Sequence, residues 1–462
     1  MFILFILSNL FLHDDALAAP TPLQPLRPLH STFEIVFYPR KLEVEYTQRS
    51  VGNIIWSCAS TISLCLWVVV HPNIPGPSHS MFLTRLKIMA WMLIAPELVI
   101  VWAGRQLFAA RLIAANHKGG LNLSIRYQML TNFGISDQGW TITHGFLASM
   151  GGFMLYADGN MIKTLDIETL EQLYKEDKID WPNIKKEEIE DKSKGDFASK
   201  GLAFVQTAWF ITQCIFRGAY KIGLTQLELA TLAFSALNII LSVLWMYKPL
   251  GVAYPFKVHL RLPASSPHFL LSQHSSQSTF RRFLAYFLNT FNENRLFAPI
   301  FIFIIEPFNF AWSSVNDLIT CETLNKVTSG NQFSVPTFYA PYSKNSAIAQ
   351  CIGLCVGILF GGIHCVACTY LFPSSAELYI WGTSAISITA IPIGFLLIVE
   401  NVRMQITDSQ NFSLLRILTI YFLIALYCIS RVALVILPIL SLRRLPPDAF
   451  VDFQWSSFIP HL

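Results

Sequence analysis

The chain has 462 residues, of which 53% are hydrophobic and 13% charged, and its mean hydropathy is +0.47. Globular chains carry about 25% charged residues, so a water-soluble body of this size is excluded and the lipid bilayer is the expected partner. Lys and Arg number 33 against 29 Asp and Glu, and no basic tract with interleaved aromatics occurs, so no nucleic acid partner is expected.

The chain opens with a short apolar run, Phe2 to Leu12, well under the ~20 residues a spanning helix needs. Asp14, Asp15 and the small-x-small triplet Ala16-Leu17-Ala18 follow, which is the form of a signal-peptidase site, although the usual basic n-region is missing. The expectation is a signal peptide over 1–18 and a destination in a membrane of the secretory pathway. Residues 19–52, with Pro20, Pro22, Pro25 and Pro28, read as a short non-membrane segment.

Apolar runs near membrane length occur at 53–71, 86–104, 202–217, 226–247, 347–371, 379–400 and 415–441, each bounded by turn residues such as His71-Pro72-Asn73 or Lys248-Pro249-Leu250. A possible eighth, 296–312, is interrupted by Glu306-Pro307, and 141–156 is short and Gly-rich. The predicted fold is therefore all-α, a polytopic transmembrane helical bundle of about 7–8 spans. Two helices lie in 53–104, a polar or amphipathic insertion in 105–201, and two more helices in 202–247. A polar region follows over 248–346, then three helices over 347–441 and a tail over 442–462. Nine cysteines do not suggest a disulfide scaffold, because all but Cys321 sit within or at the ends of apolar stretches.

Orientation does not follow from the basic residues. Arg40, Lys41 and Arg49, Arg105 and Arg111, Arg217 and Lys221, and Arg443 with Arg444 fit no single positive-inside count over these spans. Asn122 and Asn411 are glycosylation candidates within N-x-S sequons. The stretch Asp166 to Lys200 is dense in both signs. It reads either as a solvated surface element or as a docking element for a protein partner over 158–200.

Ionisable residues inside apolar helices are costly and commonly mark a polar interior. The candidates are Glu97, His144, Glu228, Glu306, His364, Glu400 and Arg431. Arg431 stays charged at any relevant pH, so it calls for a carboxylate partner, with Glu97 and Glu306 the nearest in kind. A functional polar pathway and a buried pair that only fixes helix order both fit. Gly353, Gly357 and Gly361 recur every four residues, a spacing that lets helix backbones approach closely in lipid. Motifs for phosphate, dinucleotide or nucleophile-elbow chemistry do not occur. Cys365-x-x-Cys368 beside His364 lacks the further ligands a zinc site needs, so no metal and no cofactor is expected. His71, His117, His144 and His364 with Glu97 and Asp137 contain the groups for a membrane-embedded acid–base site, without a spacing that requires one.

Several motifs carry a resemblance. Ile54-Ile55-Trp56-Ser57-Cys58, His71-Pro72-Asn73-Ile74-Pro75, Ala95-Pro96-Glu97-Leu98 and Thr143-His144-Gly145-Phe146 stand in the first third. Leu227-Glu228-Leu229-Ala230, Lys248-Pro249-Leu250, Val335-Pro336-Thr337-Phe338-Tyr339-Ala340 and Gly361-Gly362-Ile363-His364-Cys365 follow. With these, the chain resembles a large family of uncharacterised multispan membrane proteins of filamentous, chiefly mushroom-forming, fungi. The resemblance implies a signal peptide and a multispan body, and it assigns no functional residue. Three classes of function remain: transport, channel or sensing through a polar intramembrane site; an enzyme acting on a lipid or apolar metabolite with His144 and Glu97 as acid and base; and a structural or partner-binding membrane protein.

Overall fold

The computed structural model describes residues 46–77, 80–117, 139–193, 196–261, 333–341, 343, 345–369, 372–405 and 414–453. These are mostly helical. In chain order they form β1 (Tyr46–Gln48), α1 (Val51–Val69), α2 (Met81–Ile94), α3 (Pro96–Asn116), α4 (Ile142–Ser149), β2 (Phe153–Ala157), β3 (Asn160–Leu165), α5 (Ile167–Lys175) and α6 (Lys186–Asp191). Then come α7 (Asp196–Ala219), α8 (Gln226–Leu244), β4 (Phe256–His259), α9 (Ser346–Val366), α10 (Ser375–Gln405), α11 (Leu414–Ser441) and β5 (Val451–Phe453).

Five stretches are long and apolar enough to cross a membrane: α1, α3, α8, Ala347–Thr369 and Phe422–Ser441. Large apolar side chains such as Trp56, Phe204, Ile215 and Ile429 point outward from the helices, as a lipid-facing surface requires. This is a membrane protein by that measure. The expected count of seven to eight spans is not reached among the described residues, and the signal peptide at 1–18 and the segment 296–312 lie outside them.

The run expected as one span at 86–104 is instead two helices. Pro96 has no N–H to continue a helix, and Ala95 leaves helical geometry at φ −142°, ψ 66°. Beyond this break the chain doubles back. Thr84, near the start of α2, borders the same cavity as Asn73, while Gln106 of α3 donates to Asn73 Oδ1 at 2.9 Å. Twenty-two residues of continuous helix would separate Thr84 from Gln106 by about 33 Å, so α2 and α3 form a V with its apex at Ala95-Pro96.

Helix α9 fixes the height of that apex. Gly104 of α3 faces Ala349, near the start of α9, and Glu97 faces Gly357, at its middle. The apex therefore sits halfway along the bundle. From it α3 runs toward one end and out beyond, where Ile113 joins the core of a separate small subdomain.

That subdomain corrects the expectation of an all-α chain, and it is built largely from the polar or amphipathic insertion at 105–201. Strands β2 and β3 pair antiparallel through a turn at Asp158-Gly159, both at positive φ (50° and 79°), and β4 adds parallel to β2. Leu147, Phe153, Leu155, Leu165, Leu170, Ile179, Ile189 and Val258 fill the core under this sheet. The short continuous apolar run of β2 cannot be separated from a helix by period alone, and its parallel partner β4 comes from about a hundred residues later.

The two ends of the bundle differ in chemistry. At the end opposite the subdomain, β1 pairs antiparallel with β5, joining the start and finish of the described chain. Arg49 donates to Glu228 at 2.5 and 3.0 Å, and Arg217 donates to Val451 O and Gly223 O, each at 2.6 Å. Arg443 pairs with Glu377 at the same end. Arg49, Arg217, Lys221, Arg443 and Arg444 thus collect at one end of the bundle, while Arg105 and Arg111 belong to α3, which runs toward the other.

Candidate functional site

The first polar centre lies at the apex. Pro96 and Glu97 open α3, where a helix N-terminus favours an acidic side chain. Glu97 is buried, and its Oε2 accepts from Arg431 Nη2 of α11 at 2.8 Å. Tyr427, one turn earlier on α11, donates its hydroxyl to Glu97 Oε1 and accepts from Arg431 Nε at 2.7 Å. The guanidinium lies 4.3 Å from the ring centroid of Phe360 on α9. Charge, hydrogen bonds and a ring face therefore satisfy both ions within the bundle. Two charges removed from water persist only under such conditions.

The glycines on α9 make room for this arrangement. Gly353 and Gly357 face the first turns of α3, and Gly361 faces Thr389 of α10. His364, on the same helix, is buried; its Nδ1 bonds Phe360 O at 2.8 Å, its own carbonyl accepts from Trp381 Nε1 at 2.8 Å, and its ring packs on Phe360 and Trp381. These contacts give His364 a place in helix packing.

A second polar centre sits where the bundle meets the subdomain, and sequence reasoning missed it. Lys248, just past α8, is 1% exposed and has no carboxylate partner among the described residues. Its Nζ donates to His71 O at 2.5 Å, Gln106 Oε1 at 2.9 Å and Asn73 Oδ1 at 3.3 Å. The rings of Trp102 and Trp245 cover it at 4.7 and 4.8 Å, within cation–π range. Asn73 in turn donates to Pro336 O, Thr337 O and Tyr339 O, and Gln106 and Trp102 both donate to Tyr339 O. Burial pushes the Lys248 ammonium well below its usual pKa. Burial, with Lys200, Lys248 and Arg85 acting in the same direction, also lowers His71, whose Nε2 has no partner among the described residues.

Three sequence motifs converge here: His71-Pro72-Asn73, Lys248-Pro249-Leu250 and Val335-Pro336-Thr337-Phe338-Tyr339. The first two read locally as span-ending punctuation, and the third lies within the polar region 248–346. The one signal that could have drawn attention was a lysine and a tryptophan together at the end of an apolar run.

Other expected site residues fall elsewhere. Glu228 sits at the start of α8, where it completes a capping box with Thr225 and holds Arg49. His144 lies on α4, an eight-residue helix that packs into the subdomain and is not among the five stretches long enough to cross a membrane. Its Nδ1 accepts from Thr141 N at 3.1 Å and its Nε2 donates to Ile184 O at 2.8 Å, and burial lowers its pKa. His117 pairs with Glu171 at 3.4 Å and stacks on Trp181. The histidines and Glu97 therefore do not assemble an acid–base site. Glu400 falls on α10 at a position whose side chain lies outside the described residues, as do Glu306, Asp137, Asn122 and Asn411. Among the described residues no three His, Cys, Asp or Glu side chains could hold a metal ion.

Residues 43–266 are similar to a family of unknown function (DUF8562). The matching stretch runs from before α1 to just past β4. It contains Glu97, the whole sheet, and His71, Asn73, Gln106 and Lys248 of the second centre, and it ends before Tyr427 and Arg431. No curated protein and no solved structure matches the chain.

Proposed function

We propose that this membrane protein is a transport or channel protein in which the Glu97–Tyr427–Arg431 group is the latch of a gate. The observation that carries the reading is the position of Glu97: the first turn of a helix that begins at mid-height, beside the only break in the α2–α3 pair. A helix pair that meets at mid-depth is tolerated in a bilayer where protein buries it, and discontinuous helices form solute sites in transporters. The ion pair bridges that V to α11, so breaking it frees one side of the bundle from the other.

In this reading α1, α7, α8, α9, α10 and α11 cross the bilayer and the α2–α3 V enters and leaves on the subdomain side. The even number of crossings agrees with the direct pairing of β1 with β5. The test is solute flux into liposomes containing the purified full chain. Glu97→Gln combined with Arg431→Met removes both charges together, and altered flux at a thermal stability close to that of the parent chain is the expected result. Flux indistinguishable from empty liposomes for both the parent chain and the variant would remove the reading.

A further inference from the structure

Between residues 73–76 and 334–337, with Thr84 at its side, lies a cavity of about 110 Å³. We propose that it is a binding site for a small, uncharged molecule bearing hydroxyl or carbonyl oxygens, roughly the size of glycerol. An engineered 150 Å³ cavity holds benzene, so a volume of this order suits about five or six non-hydrogen atoms.

The lining sets the chemistry. Among the described residues no acidic or basic side chain borders the cavity, so none of them compensates an ion stripped of water. The hydroxyls of Ser334 and Thr337 make no hydrogen bond to any described residue, which leaves donors and acceptors for a ligand. Thr84 Oγ1 donates to Ser80 O at 3.1 Å and keeps its lone pairs. Ile74, Pro75, Val335 and Pro336 supply apolar walls suited to a short carbon skeleton.

The site is also built in advance. Asn73 forms its inner wall, and that amide is held on one side by Pro336 O and Thr337 O and on the other by Gln106 and Lys248. Preorganised walls leave less ordering cost at binding. Gly76 keeps the space open: a Cβ there would lie 3.1 Å from Ser334 Oγ. The cavity stands apart from the Glu97–Arg431 pair, so its occupation is measured as binding and does not depend on flux.

The experiment is saturation-transfer NMR on the full chain in detergent, with glycerol, acetamide, acetate and tetramethylammonium as separate probes. Saturable transfer to glycerol and acetamide, with none to the two ions, is expected. Gly76→Val should abolish it, and Ser334→Ala with Thr337→Val should weaken it roughly tenfold, as loss of two hydrogen bonds predicts. Near-UV circular dichroism confirms that each variant keeps its tryptophan packing; where Gly76→Val does not, the Ser334/Thr337 pair decides. Equal transfer to the ions, no saturable transfer to either neutral probe, or unchanged affinity in folded variants would overturn the proposal.

Discussion

Gly361 of α9 lies directly against Thr389 of α10, and no Cβ fits between them. Gly362, the next residue, has open space beside its Cα. Gly361→Ala is therefore expected to destabilise the chain by about 1–3 kcal/mol, the usual cost of overpacking. Gly362→Ala should be neutral or slightly stabilising. Adding Thr389→Gly to Gly361→Ala should recover much of the loss, measured as thermal unfolding of all four proteins in one detergent. Equal effects at 361 and 362 would contradict this packing.

The Glu97–Arg431 pair predicts a strong asymmetry between single and double replacement. Arg431→Met alone leaves a buried carboxylate with only Tyr427, and the expected loss is about 3–5 kcal/mol. Pairing it with Glu97→Gln should restore most of that stability. A double-mutant cycle on unfolding measures the coupling; additive losses would mean that the two side chains do not interact.

Lys248 makes a separate prediction, because its partners are neutral. Lys248→Met keeps the stem but strips a donor from His71 O, Asn73 Oδ1 and Gln106 Oε1. An unsatisfied buried acceptor costs about 1–3 kcal/mol, so a loss of at least that size is expected. Emission from Trp102 and Trp245 should change in the same variant, and Lys248→Arg should not rescue it, since a planar guanidinium cannot copy three converging ammonium bonds. Full stability in Lys248→Met would refute the network.

His144 sets the acid response of the subdomain. Its folded pKa is lowered by burial, and an unfolded histidine titrates near 6.5. The unfolded state therefore binds the proton first as pH falls, so stability is fully present above about pH 6.5 and declines below it. Protonation also places a hydrogen on Nδ1, which now accepts from Thr141 N. Protection factors of the amides in α4 and the sheet, corrected for the intrinsic pH dependence of exchange, should fall between pH 7 and 5, and His144→Gln should flatten that dependence.

The end-to-end sorting of charges gives a topology test. Cysteines placed at Lys221 and Arg444 should react with an impermeant reagent from one side of sealed vesicles, and a cysteine at Lys175 from the other. All three are exposed positions. Reaction of all three from one side would rule out the proposed crossings.

Composition and the apolar runs alone determined that this chain belongs in a membrane and is mostly helical, because hydrophobic content and helix length are local, additive properties of a sequence. The need of Arg431 for a carboxylate was also legible, since a charge in an apolar helix has few alternatives. Which carboxylate, Glu97 or Glu306, was not. The V at Ala95-Pro96, the parallel pairing of β2 with β4 and the convergence of His71, Asn73, Gln106 and Lys248 were decided by tertiary structure. Each joins residues far apart in sequence through hydrogen bonds, backbone crossings or ring faces. Proline in an apolar run does not state whether a helix kinks or reverses, and a lysine beside a turn reads as surface until three oxygens and two indole rings close around it.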